Sequence, residues 1–246
     1  MGHNHFNGKD AMAHLAEKQA DGMLNAKEVH GLEIPGYLQA AFDAARDTAA
    51  SLLLLFSLLI HFDLGALALA KMLALYALGF IIWKTGRAIW LAWARLERLH
   101  RILAQEKWEI EHNRPQEREE LVALYGMKGF EGKLLEDVVD VLMADESRLL
   151  KVMIEEEMGL SLENTEHPLK QGFGAFFGSF VTAGLCIIAI SLNLNWGLVV
   201  ISLGVIGVVS WLTAYKADNR PLSAMIWGLG VAILAWCTTY FVSDYL

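Results

Sequence analysis

Residues 172–192 read GFGAFFGSFVTAGLCIIAISL, without one Asp, Glu, Lys or Arg. At 1.5 Å per residue such a stretch makes a helix about 30 Å long, the thickness of a bilayer's hydrocarbon core. Two further charge-free stretches, one residue shorter, follow, Trp196–Tyr215 and Ser223–Val242. Upstream, Leu52–Ile60 and Gly65–Trp83 are apolar runs separated by His61-Phe62-Asp63. The segment from Ala40 to about Trp93 is too long for one span, so it is expected to form a helical hairpin turning at Asp63 and Gly65. The fold expected is therefore all-α, with five transmembrane helices.

Composition agrees with a membrane protein and adds a puzzle. The chain has 246 residues, is 55% hydrophobic with mean hydropathy +0.37, and is still 20% charged with a net charge of −8. Charge and hydrophobicity turn out to be segregated. Residues 1–39 are net −2, residues 40–94 net +1, residues 95–172 net −7 and residues 173–246 neutral. Four regions follow: an N-terminal segment (1–39), a transmembrane hairpin (40–94), an acidic block (95–172) and three further spans (173–246). Net acidity argues against nucleic acid as a partner. The two cysteines, Cys186 and Cys237, exclude a disulfide framework or a multi-Cys zinc site.

Lys and Arg set the expected orientation. Arg95, Arg98 and Arg101 follow span two, Lys216 and Arg220 lie between spans four and five, and the turns after spans one and three carry neither residue. All loops then agree on a cytoplasmic N-terminus and 95–172 block, with the C-terminus outside. The first 39 residues lack the charged-then-apolar layout of a signal peptide. With the short loops, this fits a bacterial inner membrane. Asp10–Gln19 and Ala26–Leu32 are expected as short amphipathic helices lying along the membrane surface.

The acidic block is expected to be a bundle of short helices inserted between spans two and three. Span two continues as a helix through Arg95 to about His112, and Pro115 ends it and opens the next. Gln116–Tyr125, Leu134–Met143 and Ser147–Met158 are the further helices, with Gly126, Gly129 and Gly132 marking a turn and Gly159 a C-cap. Carboxylates pair at i,i+3, Glu106 with Glu109 and Glu117 with Glu120, each pair on one helix face. Like charges there repel, an arrangement relieved by a cation such as Fe²⁺, Mn²⁺ or Mg²⁺. Met153 and Glu157, four apart, can add a soft sulfur and another oxygen. The alternative is a solvated acidic face with Lys107, Arg114 and Arg118 as neighbours. Glu109-Ile110-Glu111-His112 also contains the Glu-x-x-His spacing of di-iron bundles, but no copy lies on a second helix, so oxidase chemistry is set aside and no enzyme activity is expected.

Several motifs together resemble a known family. They are Glu106-x-x-Glu109, Pro115, Glu117-Arg118-Glu119-Glu120-Leu121, Leu124-Tyr125-Gly126-Met127-Lys128-Gly129-Phe130 and Met153-Ile154-Glu155-Glu156-Glu157-Met158-Gly159-Leu160. This stretch is similar to the cytoplasmic metal-binding domain of the vacuolar iron transporter family, and Asn219-Arg220-Pro221-Leu222 through Tyr240 resembles the family's last helix. The resemblance implies a homodimer of five-span chains in membrane lipid, moving Fe²⁺ or Mn²⁺ out of the cytoplasm by proton exchange, with no organic cofactor. It implies that Glu106, Glu109, Glu117, Glu120, Met153 and Glu157 collect the metal. The family has paired Met where this chain has Met153-Ile154.

The membrane path departs further from the family. Leu38–Asp47 resembles the first-span motif and puts Asp43 and Asp47 in the transport path, with Thr48 where the family has Gly. In span two the family has Ser-Met-x-x-Gly-Glu, and this chain has Ile82-Trp83-Lys84-Thr85-Gly86-Arg87. The family's proline-rich end of span three is absent around Cys186–Ile190. In a hairpin turning near Asp63, Asp43 lies level with Lys84 and Asp47 with about Phe80. Arg46, Lys84 and Arg87 are then possible ion-pair partners of the two carboxylates, since intramembrane charges pair. Alternatively Lys84 and Arg87 snorkel to the interface, with Trp83, Trp90 and Trp93 as an aromatic belt. A divalent-metal transporter is the reading adopted. The alternatives are a membrane-anchored metal buffer or sensor that has lost its path, and a structural protein whose acidic bundle recruits a partner.

Overall fold

The computed structural model describes residues 34–62, 64–157, 166–192 and 196–245. Asp63, Gly159, Met158 and the two N-terminal amphipathic stretches lie outside the described residues. Those described are helical throughout, with no strand among them. Five helices are long and apolar enough to cross a membrane: α1 (Gly36–Leu59, prolonged by a 3₁₀ turn, Ile60–Phe62), α2 (Ala66–His112), α6 (Pro168–Ser191), α7 (Gly197–Lys216) and α8 (Pro221–Asp244). Between α2 and α6 come α3 (Arg114–Met127), α4 (Gly132–Met143), α5 (Glu146–Val152) and a π-helical turn, Met153–Glu157. The five expected spans are all present. Contacts divide the chain into two compact units, one within Arg95–Thr165 and the other within His30–Ala94 and Glu166–Leu246.

Proline punctuates the helices. Pro168 and Pro221 open α6 and α8, where the missing N–H has no intrahelical partner to lose. Pro115 would clash with the carbonyl four residues back if α2 continued, so α2 stops at His112 and Asn113 takes a non-helical conformation before α3. Gly129 (φ 92°) and Gly132 (φ 57°) make the left-handed turn between α3 and α4 that a side chain would strain.

In the membrane-spanning unit α1 is the central helix. It lies closest to α6 and also packs on α7 and α8. Lipid gives no hydrophobic drive to helix pairing, so close packing of small residues must supply the attraction. The sequence provides it. A Cβ at Gly174 would drive into the Tyr37 carbonyl, and one at Gly178 into the Ala41 carbonyl. Both contacts step by four residues in the same sense, so α1 and α6 run parallel, as spans one and three must. Glu166, just before α6, accepts a hydrogen bond from the Tyr37 N–H at 2.8 Å and ties the starts of the two helices together.

The expected side-by-side hairpin of spans one and two is looser than the equidistance argument assumed. α2 joins through an apolar face: Leu69, Leu73, Ala77 and Ile81 share a buried core with Leu52, Leu53 and Phe56 of α1 and Ala183 and Cys186 of α6. Trp83, Trp90 and Trp93 are exposed, as an interfacial belt requires. On α6, Gly178→Leu is expected to lower the melting temperature of the detergent-solubilised protein, with an overpacking cost of about 1–3 kcal/mol. Gly184→Leu, where a Cβ meets no atom within 4 Å, should leave the melt unchanged. Equal effects at both positions would discount the α1–α6 contact.

Candidate metal centre

The break at Asn113 turns α3 back so that its first turn faces the last turns of α2. Glu106 and Glu109 come from α2, and Glu117 from α3. One carboxylate oxygen from each of the three lies within 4.8 Å of the others. Glu106 and Glu117 are only 1% and 0% exposed, and Glu109 9%. Three acidic oxygens gathered out of water form a donor set suited to a hard or borderline divalent cation. Gln105 Nε2 donates to Glu109 Oε1 at 3.1 Å and fixes that carboxylate's orientation.

The other expected ligands are placed less uniformly. Glu120 is fully buried one turn beyond Glu117 but does not belong to the close trio. Met153 is fully buried in the apolar core of this unit, with Ile110, Leu121, Leu124, Val139 and Leu149. It stands at the first position of the π-helical turn, a widened geometry that recurs at functional sites. The Glu157 side chain lies outside the described residues. His112 does not join the carboxylates: its Nδ1 is 2.9 Å from the Trp108 carbonyl and its ring stacks on Trp108. The Glu-x-x-His spacing is thus used for local helix packing.

Sequence reasoning missed a clasp on the same turn. Glu156 accepts from the Tyr125 hydroxyl at 3.2 Å and pairs with Lys128, whose ammonium lies over the Tyr125 ring. Burial raises the Tyr125 hydroxyl above its ordinary pKa, which keeps it a donor. Glu155 pairs with Lys151 at 3.8 Å. Two of the three consecutive glutamates thus have basic partners. Tyr125 and Lys128, three apart where α3 ends, were the available signal.

In the membrane-spanning unit, charge pairing prevails over snorkelling for Lys84. Its buried ammonium donates to Asp47, while Arg46 and Gln39 hold Asp43. Level positions had matched Lys84 with Asp43. Helical side chains lean toward their own N-terminus, which carries Lys84 toward the level of Phe80 and so to Asp47. Arg87 is exposed and makes no ion pair among the described residues.

The fold and site together define a multi-pass helical membrane protein carrying a buried acidic cluster suited to a metal ion. A model of the VIT family matches residues 92–244, well over half of the chain. The chain belongs to the VIT family, whose members move metal ions across membranes. The match includes every acidic ligand candidate and α6–α8, while Asp43, Asp47 and Lys84 precede it. No curated protein matches the chain in sequence.

Helix α5, which carries the chain into the π-turn, starts at a charged cap. Asp145 accepts from the Ser147 hydroxyl and the Arg148 N–H, and these bonds hold its carboxyl below the usual range. A lowered folded pKa means the cap's contribution is full above the unfolded carboxyl value, near pH ~4, and fades as acid titrates the folded form. Asp145→Ala should therefore melt earlier than wild type at about pH 7, with the gap closing toward about pH 3. Asp145→Asn, an equally good cap, should retain most of the stability. Circular-dichroism melts at the two pH values check both outcomes.

Proposed function

We propose that this chain is a divalent transition-metal transporter that collects Fe²⁺ or Mn²⁺ on the cytoplasmic side and moves it out of the cytoplasm in exchange for protons. The observation that carries the reading is the convergence of Glu106, Glu109 and Glu117 within 4.8 Å, nearly buried, in a chain with five membrane-length helices. Glu120, Met153 and Glu157 complete the proposed collecting site. Carboxylate oxygen with a thioether favours a borderline cation over Ca²⁺ or Mg²⁺. The distribution of Lys and Arg supports a cytoplasmic position for the acidic block, and a collecting site there supports outward movement. Asp43 and Asp47 on α1 are the proposed carboxylates of the path, in a homodimer held in lipid. Proton exchange and dimerisation rest on the resemblance to the family.

A second reading, a membrane-anchored metal buffer or sensor, is favoured by one specific observation. Both path carboxylates already have cationic partners, Asp43 with Arg46 and Asp47 with Lys84.

Uptake of Mn²⁺ into proteoliposomes separates the two. Wild type should transport, Asp47→Ala should lose transport, and Glu117→Ala/Glu120→Ala should raise the half-saturating concentration at least about tenfold, a loss of ~1.4 kcal/mol. Saturable binding without uptake would establish the buffer, and absence of saturable binding near neutral pH would overturn both. Binding should weaken as pH falls toward about 4, because carboxylates must be ionised to ligate. At the sulfur, Met153→Leu preserves packing volume. A stability close to wild type with weaker Mn²⁺ or Fe²⁺ binding, read by calorimetry, is expected, and unchanged binding would remove Met153 from the ligand set.

A further inference from the structure

Lys84 is the anomaly of the membrane-spanning unit. Its side chain is 9% exposed, within a helix of membrane-spanning length, and its ammonium donates to Asp47 across 37 residues of sequence. Asp47 is placed differently: 55% of its side chain is exposed. Only Oδ2 is engaged by Lys84, so the carboxylate's outer side is open to an approaching ion. Next to it, Asp43 is satisfied within α1 by Arg46 and Gln39. The four charged groups sum to zero. An acidic path in which each carboxylate has a lysine or arginine at hand offers a divalent cation no net attraction.

We propose that Lys84 is a built-in counter-cation that gates Asp47: a divalent ion can approach the open side of the carboxylate but takes both its oxygens only by displacing the ammonium. This rests on the transport reading above. At equal distance, a doubly charged ion is attracted to Asp47 twice as strongly as the ammonium is. Displacement is therefore feasible for Mn²⁺ or Fe²⁺, whereas a monovalent ion has no such advantage. Lys84 on this account determines specificity: it sets a threshold that excludes monovalent cations and slows divalent ones. A purely structural ion pair makes the opposite prediction, because removing one partner of an intramembrane pair leaves the other charge unbalanced, destabilises the protein and lowers activity.

The test is Mn²⁺ uptake by full-length protein in liposomes, with thermal melts run on every variant. Lys84→Gln removes the charge. Lys84→Met removes it with a side chain better suited to an apolar setting and guards against misfolding of the first variant. Lys84→Arg retains the charge. Both neutral variants are expected to take up Mn²⁺ at least about three times faster than wild type, with Lys84→Arg at the wild-type rate and Asp47→Ala/Lys84→Met without the gain. The neutral variants should also admit K⁺ where wild type does not. Uptake by the neutral variants alone, with wild type silent, would overturn displacement of the ammonium by the ion, and with it the transport reading for wild type. If wild type transports, Asp47→Ala abolishes transport and both neutral variants are equal to or slower than wild type, the gate is overturned and the transport reading stands. If no protein in the series transports, both are overturned.

Discussion

A charge withdrawn from water must find an opposite charge close by, and this constraint organises the chain. In the membrane-spanning unit it is met internally, Lys84 by Asp47 and Asp43 by Arg46. In the acidic unit, carboxylates from two helices are brought together out of water, and the proposed answer is a metal ion. The same physics thus gives a closed, neutral arrangement in one place and a cluster of acids in the other.

Small residues make the first arrangement possible. Gly174 and Gly178 let the α6 backbone approach the Tyr37 and Ala41 carbonyls, which seats α1 at the centre of its unit and carries Asp43 and Asp47 with it. In the acidic unit Pro115 has the corresponding part. By stopping α2 it turns α3 back, so that Glu117 meets Glu106 and Glu109. Behind the trio, a core of Ile110, Leu121, Leu124, Leu149 and Met153 holds the helices in place, each buried aliphatic contributing about 1.5–3 kcal/mol. The Tyr125–Lys128–Glu156 clasp fixes the π-helical turn at the edge of that core.

Much of this was legible in advance. Each membrane span is a local property, about twenty apolar residues in a row, so five spans could be counted without knowing how they pack. The i,i+3 carboxylate pairs were legible for the same reason, since helical periodicity alone puts Glu106 with Glu109. The Lys84 pairing was legible only as a set of candidates. Level positions pointed to Asp43, and the lean of helical side chains, which depends on the actual distance between helices, shifted it to Asp47. The Glu-x-x-His spacing could not say which way the imidazole turns, and His112 turned onto Trp108.

The sequence by itself determined the helical class, the number of spans, the segregation of charge and the helix faces on which the acids lie. These follow from composition and periodicity over stretches shorter than one helix. Tertiary structure decided which carboxylates converge, leaving Glu120 outside the close trio; which helix sits at the centre, through glycine contacts between residues 137 apart; and which acid Lys84 neutralises. Each of those depends on distances between helices, and such distances are fixed by packing, which no local pattern encodes.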